Sequence, residues 1–378
     1  MKILIAPDKF KGNMTSPEVC EVIGEAFRRE LPHARLILLP MADGGEGTAE
    51  ALTRANHGSM HNVKVHGPLG KEVTAQFGIY DNGRSAVLEM SSASGLSLLK
   101  KEERDVLHST TFGTGELIKA ALDRGVTHLT VGIGGSATVD GGTGMARALG
   151  FRFFTAEGKE LTDDIAAFRD LARIDGTHAD TRLKNLTLRC ACDVTNPLLG
   201  PYGAAAVYGP QKGAAPEMIP VLEKSLERIS QILVKQGMLP HTDGPGDGAA
   251  GGLGAALRAF CHAEMVSGAL LVMKESSLEE HLPGADLLIT GEGCTDDQTE
   301  SGKICSQIAV LARKYKVKTL LLSGALKGDP EAIGQRFDYA FSTSTGAYSS
   351  IEEAIAAGKA DLAFTAGQIA RLLKKGIE

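Results

Sequence analysis

The chain has 378 residues, of which 43% are hydrophobic and 23% are charged, and its formal net charge is -6. This length exceeds the usual size of one hydrophobic core, so we expect two domains, or one domain with a large insertion. The composition is that of a folded protein, and a negative charge without a lysine or arginine block argues against nucleic-acid and membrane-surface binding. Small molecules are therefore the expected partners. The sequence is also compatible with a homo-oligomer.

The amino-terminal elements alternate between strand and helix. An apolar run at residues 2–6 predicts a strand, Thr15-Ser16-Pro17-Glu18 is typical of a helix start, and apolar residues recur at helical spacing over 19–27. A second strand at 36–39 and a helix beginning near Glu46 continue the pattern. Such alternation builds a parallel sheet with helices on both faces, so the amino terminus is predicted to be α/β.

The middle of the chain follows another pattern. Short alternating runs between residues 63 and 90, with a tight-turn signature at Asp81-Asn82-Gly83, predict an antiparallel meander. A helix (115–124), a strand (127–131) and a glycine-rich turn follow, and then mixed segments up to a long helix at 217–235. We therefore expect a second domain in this region.

From Asp286 onwards the alternation of strand and helix resumes. We infer that both chain ends share one doubly wound parallel sheet, with a second, mixed α/β domain inserted between them. The first domain is predicted to comprise residues 1–64 and 285–378, and the inserted domain residues 65–284. The substrate is expected where the domains face each other, beyond the carboxyl ends of the strands. The predicted elements of this last region are strands at 287–289, 319–322 and 339–342, a helix at 304–315, and two closing helices.

Loops that combine glycine with charge follow several of the predicted strands, beginning with Asp8-Lys9-Phe10-Lys11-Gly12. Phosphoryl transfer needs amides and cations around the phosphates, carboxylates for Mg²⁺, and one carboxylate that accepts a hydroxyl proton. A single loop aspartate is more often a helix cap or a turn residue. The recurrence of aspartates beside glycine, lysine or amide residues, at Asp8, Asp43, Asp193 and Asp296, favours a functional role.

Two glycine turns are candidate anion sites. Residues 132–138 contain three glycines, a serine and a threonine between a predicted strand and a helix, where backbone amides can bind a phosphate or carboxylate. Residues 246–251 match the dinucleotide pattern GxGxxG, but the preceding segment predicts a turn where a strand is required. This second turn favours an anion-binding helix start over a nicotinamide site. A Walker P-loop is not indicated, because Gly302-Lys303 is followed by Ile304.

Other classes of chemistry have little support. The six cysteines show no paired CxxC spacing, so free thiols in a cytoplasmic protein are expected and a zinc site is not. The apolar start at residues 3–6 is too short for a signal peptide or a membrane span. The HExxH and GxSxG patterns of proteases and serine hydrolases are absent. Two alternatives stay open: a nucleotide-dependent oxidoreductase, suggested by the GxGxxG match, and an anion-binding regulatory protein.

The loop segments also follow one another in a distinctive order. They are Ile5–Gly12, Pro40–Thr48, Glu89–Leu96, Thr111–Ile118, Gly132–Gly142, Cys192–Leu198, Gly209–Ala214, Gly246–Gly254 and Thr290–Gly293. Together they resemble the type I glycerate kinase family over nearly the whole chain. The resemblance implies ATP-dependent phosphorylation of D-glycerate to 2-phosphoglycerate with Mg²⁺. It also implies a flavodoxin-like domain formed by both termini, with a second α/β domain inserted.

The loop chemistry and the resemblance together suggest the site residues, while leaving open which aspartate is the general base. The predicted catalytic residues are Asp8, Asp43, Asp193, Lys9 and Lys11. The predicted Mg²⁺ ligands are Asp193 and Asp296. The predicted substrate and ATP contacts are Gly44, Gly45, Gly134, Gly135, Ser136, Thr138, Asn196, Gln211, Lys212, Gly248, Gly251, Glu292 and Lys303.

Three positions depart from the family pattern. Val139 stands where an asparagine is usual, Asp247 where an alanine is usual, and Cys294 where an arginine usually follows Gly-Glu-Gly. The third departure matters most, because a thiol cannot replace a bidentate cation on a phosphate or carboxylate. Substrate affinity or identity is expected to depend on this position.

Overall fold

The structure is a computed structural model that describes residues 1–162, 164–296 and 304–377. Among these residues, no helix combines the length and the apolar character needed to cross a membrane. The strands are β1 (Lys2–Ile5), β2 (Arg35–Leu38), β3 (Ser59–His66), β4 (Glu72–Tyr80), β5 (Ser85–Glu89), β6 (His128–Gly132), β7 (Arg152–Phe154), β8 (Glu160–Leu161), β9 (Arg173–Asp175), β10 (Thr187–Ala191), β11 (Glu264–Val266), β12 (Leu287–Glu292), β13 (Lys318–Ser323) and β14 (Tyr339–Ser342). The helices are α1 (Ser16–Glu30), α2 (Thr48–Ala55), α3 (Ser91–Ser94), α4 (Phe112–Leu122), α5 (Thr143–Ala148), α6 (Ala204–Tyr208), α7 (Ile219–Lys235), α8 (Ala249–Cys261), α9 (Gly268–Glu275), α10 (Leu278–His281), α11 (Ile304–Lys314), α12 (Pro330–Arg336) and α13 (Ile351–Ile377).

The chain forms two compact units. The first contains Met1–Asp43, Glu50–Asn56 and the described part of Ala269–Glu378, and the second contains Gly44–Ala49 and the described part of His57–Gly268. The sequence-based boundaries at 64/65 and 284/285 lie 8 and 16 residues beyond the limits at 56/57 and 268/269. On the amino-terminal side the difference arises because β3 pairs with β4 in the sheet of the second unit. The sequence-based domain assignment stays a prediction.

The first unit is built on a five-stranded parallel sheet with the order β14-β13-β12-β1-β2. Numbered along this unit, the order is 2-1-3-4-5, which is the flavodoxin-like arrangement. Ile3 of β1 pairs with Leu36 on one side and with Leu287 on the other, so strands from both chain ends are neighbours. The predicted flavodoxin-like sheet formed by both termini is confirmed.

The helices of the first unit follow from local sequence and packing. α1 begins after Thr15, whose N–H donates to Oε2 of Glu18 (2.8 Å), and its apolar residues face the unit's core. α13 is one helix of 27 residues that packs against α1, so the prediction of two closing helices is wrong. Its glycines cost helix propensity, but Leu362 and Ala366 are fully buried in the same core, and this packing keeps the helix continuous.

The second unit contains a six-stranded sheet with the order β11-β10-β6-β5-β4-β3. β5, β6, β10 and β11 are parallel, whereas β3, β4 and β5 form the predicted antiparallel meander. A separate antiparallel sheet has the order β8-β7-β9. Gly132 pairs with Glu89 on one side and with Ala191 on the other, so three parallel strands end at one edge of the sheet. Loops that leave this edge are placed to bind a ligand.

Candidate active site

Carboxylates collect at the carboxyl edge of the first unit's sheet. Asp8 follows β1, Asp43 follows β2 and Asp296 follows β12, and these three strands are neighbours. The pKa of Asp8 is raised to about 7, mainly by burial and then by the charges of Asp43 and Glu292, while Lys9 opposes the shift. A carboxyl group with a pKa near neutrality can accept and release a proton at working pH. The structure therefore brings the predicted Asp8 and Asp43 together with Glu292.

Backbone hydrogen bonds fix the loop that carries Asp8. The N–H of Asp8 donates to the carbonyl oxygen of Gly291 (2.8 Å), and the N–H of Lys9 donates to Oδ1 of Asp8 (2.7 Å). Lys9 is half-buried and Lys11 is exposed on the same loop. Three predicted catalytic residues, Asp8, Lys9 and Lys11, thus share one short segment.

The end of β12 supplies a further carboxylate. Glu292 is buried, and its Oε1 accepts a hydrogen bond from Oγ1 of Thr295 (2.9 Å). Cys294 and Asp296 are half-buried beside it. The predicted Lys303 lies outside the described residues, so its role stays a prediction.

In the second unit, the loop that begins at Gly44 lies against the glycine turn after β6. A Cβ atom on Gly134 would lie 2.8 Å from the Cα of Gly45, closer than side chains approach a backbone. Glycine is therefore required for this contact. The structure brings two of the predicted glycine loops, 44–47 and 132–135, together at the carboxyl edge of the six-stranded sheet.

Glu89 is a functional candidate that the sequence-based site omits. It ends β5, is 8% exposed, and its Oε1 accepts a hydrogen bond from the N–H of Ala49 (2.7 Å) in the first turn of α2. A carboxylate at a helix amino terminus stabilises that end of the helix. The available sequence signal was a glutamate directly after the apolar run of a strand, at the same edge as Gly132.

Lys212 reaches the turn after β6 from the interior. The residue is 2% exposed, and its Nζ donates to Oγ of Ser136 (2.6 Å) and to the carbonyl oxygen of Thr138 (2.7 Å). Burial lowers the pKa of Lys212 to about 7, although the charge of Asp140 opposes this shift. Among the described residues, Oγ1 of Thr138 is buried without a hydrogen-bond partner. The structure thus brings the predicted Ser136, Thr138 and Lys212 together.

Asp140, which was not among the predicted site residues, forms hydrogen bonds at the carboxyl-terminal end of the segment 136–140. Its Oδ2 accepts hydrogen bonds from the N–H and Oγ1 of Thr111 (both 2.8 Å) and from the N–H of Gly144 (3.2 Å), and its Oδ1 accepts from the N–H of Gly142 (3.0 Å). Burial raises the pKa of Asp140 in spite of these bonds. The sequence signal was an aspartate followed by two glycines at a helix start.

The predicted polar residues after β10 occupy different environments. Asp193 is exposed, and its Oδ1 accepts a hydrogen bond from Oγ of Ser267 (2.7 Å). Both ends of the Asn196 amide are bonded within the protein: Oδ1 accepts from the hydroxyl of Tyr208 (2.7 Å), and Nδ2 donates to a backbone carbonyl (2.9 Å). Gln211 is exposed. Asn196 therefore stabilises its own loop in this structure.

The second glycine turn has an irregular geometry. Within α8, Ala250, Gly251 and Gly252 have positive φ angles of 53°, 71° and 95°, so regular helix begins only after them. A Cβ atom on Gly251 would overlap the carbonyl oxygen of Thr138, which places this turn against the segment that Lys212 holds. Positive φ at an alanine is a strained conformation that is often found at functional sites. The predicted helix start is present, but its first turn is not helical.

Asp247, one of the departures from the family pattern, forms a buried ion pair. Its side chain is fully buried, and Oδ1 lies 2.6 Å from Nη1 of Arg258. Its Oδ2 accepts a hydrogen bond from the N–H of Gly244 (2.6 Å). The carboxylate therefore connects the turn before α8 to the body of that helix.

The acidic residues fit a magnesium ion that arrives with a nucleotide. Among the described residues, no group of three or more His, Cys, Asp or Glu side chains forms a metal site from protein ligands alone. Nucleotide-bound Mg²⁺ usually keeps phosphate and water ligands and takes only one or two carboxylates. The charges of Asp43 and Glu292 raise the pKa of Asp8, and a bound cation would offset this repulsion. Asp193 and Asp296 offer the same type of oxygen ligand.

Known proteins share these motifs and this fold. The sequence profile of the glycerate kinase family matches residues 3–374. The chain belongs to the glycerate kinase family. It is 44% identical to the Glycerate 2-kinase of Escherichia coli K12 over 346 residues, 91% of each chain. It is 43% identical to the Glycerate kinase of Bacillus subtilis 168 over 375 residues, 99% of this chain and 98% of the relative.

A solved structure agrees with this membership. The crystal structure of a protein from Salmonella typhimurium LT2, assigned as glycerate kinase 2, superimposes with a TM-score of 0.89 at 43% identity. The match covers 100% of this chain and 99% of the other. The predicted family, the predicted α/β fold class and the prediction of a kinase are confirmed.

Proposed function

We propose that this member of the glycerate kinase family phosphorylates D-glycerate to 2-phosphoglycerate with ATP and Mg²⁺, at an interdomain cleft. The observation that carries the reaction type is the match of the glycerate kinase family over residues 3–374, and the Asp8 carboxyl, with a pKa of about 7 beside Asp43 and Glu292, supplies a suitable proton acceptor. Family membership supports glycerate as the acceptor and ATP as the donor. The Escherichia coli relative is named Glycerate 2-kinase, which supports the 2-hydroxyl as the reacting group. The cleft location rests on the sequence prediction.

We propose Asp8 as the general base. It accepts the proton of the glycerate hydroxyl while the hydroxyl oxygen attacks the γ-phosphorus. The new oxygen–phosphorus bond forms as the bond from the γ-phosphorus to the bridging oxygen breaks, so ADP leaves and Asp8 holds the proton. A base with a pKa near 7 then returns this proton to water, ready for another cycle. Lys9 and Lys11 offset the charge of the phosphates and of the glycerate carboxylate.

The second unit would hold an anionic group of one substrate. Backbone amides of residues 132–135, with Ser136, are suited to a phosphate or a carboxylate. The buried hydroxyl of Thr138 lacks a partner among the described residues, and a ligand atom or water would satisfy it. Asp193 and Asp296 are the proposed protein ligands of the Mg²⁺ that would accompany ATP and would neutralise phosphate charge.

The decisive test follows ADP release with purified protein, ATP, Mg²⁺ and D-glycerate. We expect glycerate-dependent ADP release, and we expect enolase to convert the product directly to phosphoenolpyruvate. ADP release without a product for enolase would contradict the 2-phosphoglycerate assignment. Glycerate-dependent reduction of a nicotinamide cofactor would favour the oxidoreductase alternative. Nucleotide binding without any turnover would favour the regulatory anion-binding alternative.

We also propose a cytoplasmic location. All six cysteines belong to the described residues, and each is free. Free thiols in this number are typical of a reducing compartment. Recovery of the activity in a membrane or secreted fraction of the source cells would contradict this location.

A further inference from the structure

The amine of Lys212 has protein partners in the interior of the second unit. Its Nζ donates to Oγ of Ser136 (2.6 Å) and to the carbonyl oxygen of Thr138 (2.7 Å), and it lies 5.8 Å from the ring centroid of Tyr208. An ammonium group has three donors, so two of them are used in these bonds. Burying a cation is costly unless such bonds replace its hydration. The amine is therefore bonded to groups of the protein itself.

The backbone that carries Lys212 is held by separate contacts. Pro210–Lys212 form a single 3-10 turn, and the N–H of Lys212 donates to the carbonyl oxygen of Gly209 (2.9 Å). Nη1 of Arg104 donates to the carbonyl oxygen of Gln211 (2.9 Å). These bonds fix the direction in which the lysine side chain leaves the turn. An outward rotation of the side chain would have to break the two hydrogen bonds that Nζ donates.

The segment that Lys212 holds is also fixed at its other end. Asp140 bonds to Thr111 and to backbone N–H groups at the start of α5. Gly251 lies directly against the carbonyl group of Thr138. Lys212 and Asp140 thus anchor the two sides of Thr138. A segment anchored on both sides presents its amides in one fixed arrangement, which anion binding requires.

We infer that Lys212 is a positioning residue, which acts on catalysis through Ser136 and the amides of residues 132–138 and makes no direct contact with substrate. A lysine that binds phosphate as a point charge must present its ammonium to the ligand. Lys212 is instead 2% exposed and directs its amine into the loop. The effect of Lys212 on turnover rests on the proposed function. Its effect on the loop does not depend on that function.

The kinetic test is a double-mutant cycle with the ADP-release assay. Lys212→Met keeps the length of the side chain and removes its donors, and Ser136→Ala removes one acceptor. We expect Lys212→Met to lower kcat/KM about 10- to 100-fold, and Ser136→Ala about 3- to 10-fold. The double variant should stay within about threefold of Lys212→Met, because both changes break the same contact. The exposed Lys224→Met on α7 is the matched control and should stay within about twofold.

Hydrogen exchange of the ligand-free protein gives a second measurement that needs no activity. Amides of residues 132–138 should exchange about tenfold faster in Lys212→Met and at the unchanged rate in Lys224→Met. If Lys212→Met does not fold, Lys212→Gln replaces it in both measurements. The inference would be overturned if the loss of kcat/KM in the double variant equalled the product of the two single losses. It would also be overturned if residues 132–138 exchanged at the wild-type rate in Lys212→Met. A wild-type protein that does not phosphorylate glycerate would refute the proposed function alone, and the exchange result would still decide the role of Lys212.

Discussion

Replacing Asp8 with asparagine is expected to stabilise the protein while removing its activity. The folded protein raises the pKa of Asp8 from the ordinary 3.8 to about 7. At any pH above about 7 the Asp8 carboxylate is charged in the folded and in the unfolded protein. The folded protein is then destabilised by the full free-energy cost of burying that charge. With 1.36 kcal/mol for each pH unit between the two pKa values, this cost is about 4 kcal/mol. The asparagine side chain would keep an acceptor for the N–H of Lys9 without the charge.

The pH dependence follows from the sign of this shift. Below about pH 4 the carboxyl is protonated in both states, so wild type and Asp8→Asn should unfold at similar urea concentrations. Between the two pKa values the folded state keeps a proton that the unfolded state has lost. The wild-type free energy of unfolding should therefore fall, relative to the variant, by about 1.4 kcal/mol per pH unit. Above about pH 7 the difference should be constant.

Urea unfolding between pH 4 and pH 8.5, with a chelator present, measures this difference. The exposed Asp170→Asn is the matched control, and its difference from wild type should not change with pH by more than about 0.5 kcal/mol. Turnover of Asp8→Asn should fall by about 10²- to 10⁴-fold if Asp8 is the base. The wild-type kcat/KM should fall as pH drops below about 7, because a protonated base cannot accept the hydroxyl proton. An Asp8→Asn protein that is less stable than wild type at pH 8, or a difference independent of pH, would refute this reasoning.

Three further changes test other parts of the site. Gly134→Ala places a Cβ atom 2.8 Å from a backbone carbon, so kcat/KM should fall at least about tenfold, whereas Gly334→Ala, with open space around its Cβ position, should leave it unchanged. Cys294→Arg restores the cation usual in the family and should lower the KM of one anionic substrate about tenfold; unchanged KM values for both ATP and glycerate would contradict that role. Asp247→Ala leaves Arg258 without its buried partner and should lower the free energy of unfolding by about 2–4 kcal/mol, as measured in urea. A loss below about 1 kcal/mol would show that the pair is not important for stability.

The sequence predicts most of the first unit because its strands are short apolar runs. β12 is buried along its whole length, as expected for a parallel strand covered on both faces, and Leu287-Leu288-Ile289 carries that pattern in the sequence. The single closing helix was not predicted, since Gly358 and Gly367 suggest breaks. Burial of Leu362 and Ala366 against α1 offsets their cost, and such tertiary packing has no local signal.

Part of the candidate site was predictable because charged loop residues follow strands that are neighbours in the sheet. Asp8 and Asp43 follow neighbouring parallel strands, so their loops leave the same edge of the sheet. The contacts of Lys212 were not predictable in the same way. Its acceptors, Ser136 and Thr138, are 76 and 74 residues away along the chain, and only the folded structure shows that the amine points inward. Sequence patterns identify a cation near a glycine loop, but burial decides what that cation contacts.

The charged residues near the glycine loops therefore divide into two groups with different chemical tasks. Asp8 stands at the carboxyl edge of its sheet with a pKa of about 7, which suits a group that exchanges protons with a substrate. Lys212 and Asp140 are almost fully buried, and their hydrogen bonds hold the protein itself. A loop that binds an anion through backbone amides must keep those amides aligned before the ligand arrives, since reorganising them would cost binding free energy. We therefore expect the proposed reaction to depend on buried charges that hold the loop as well as on the charges that meet the substrate.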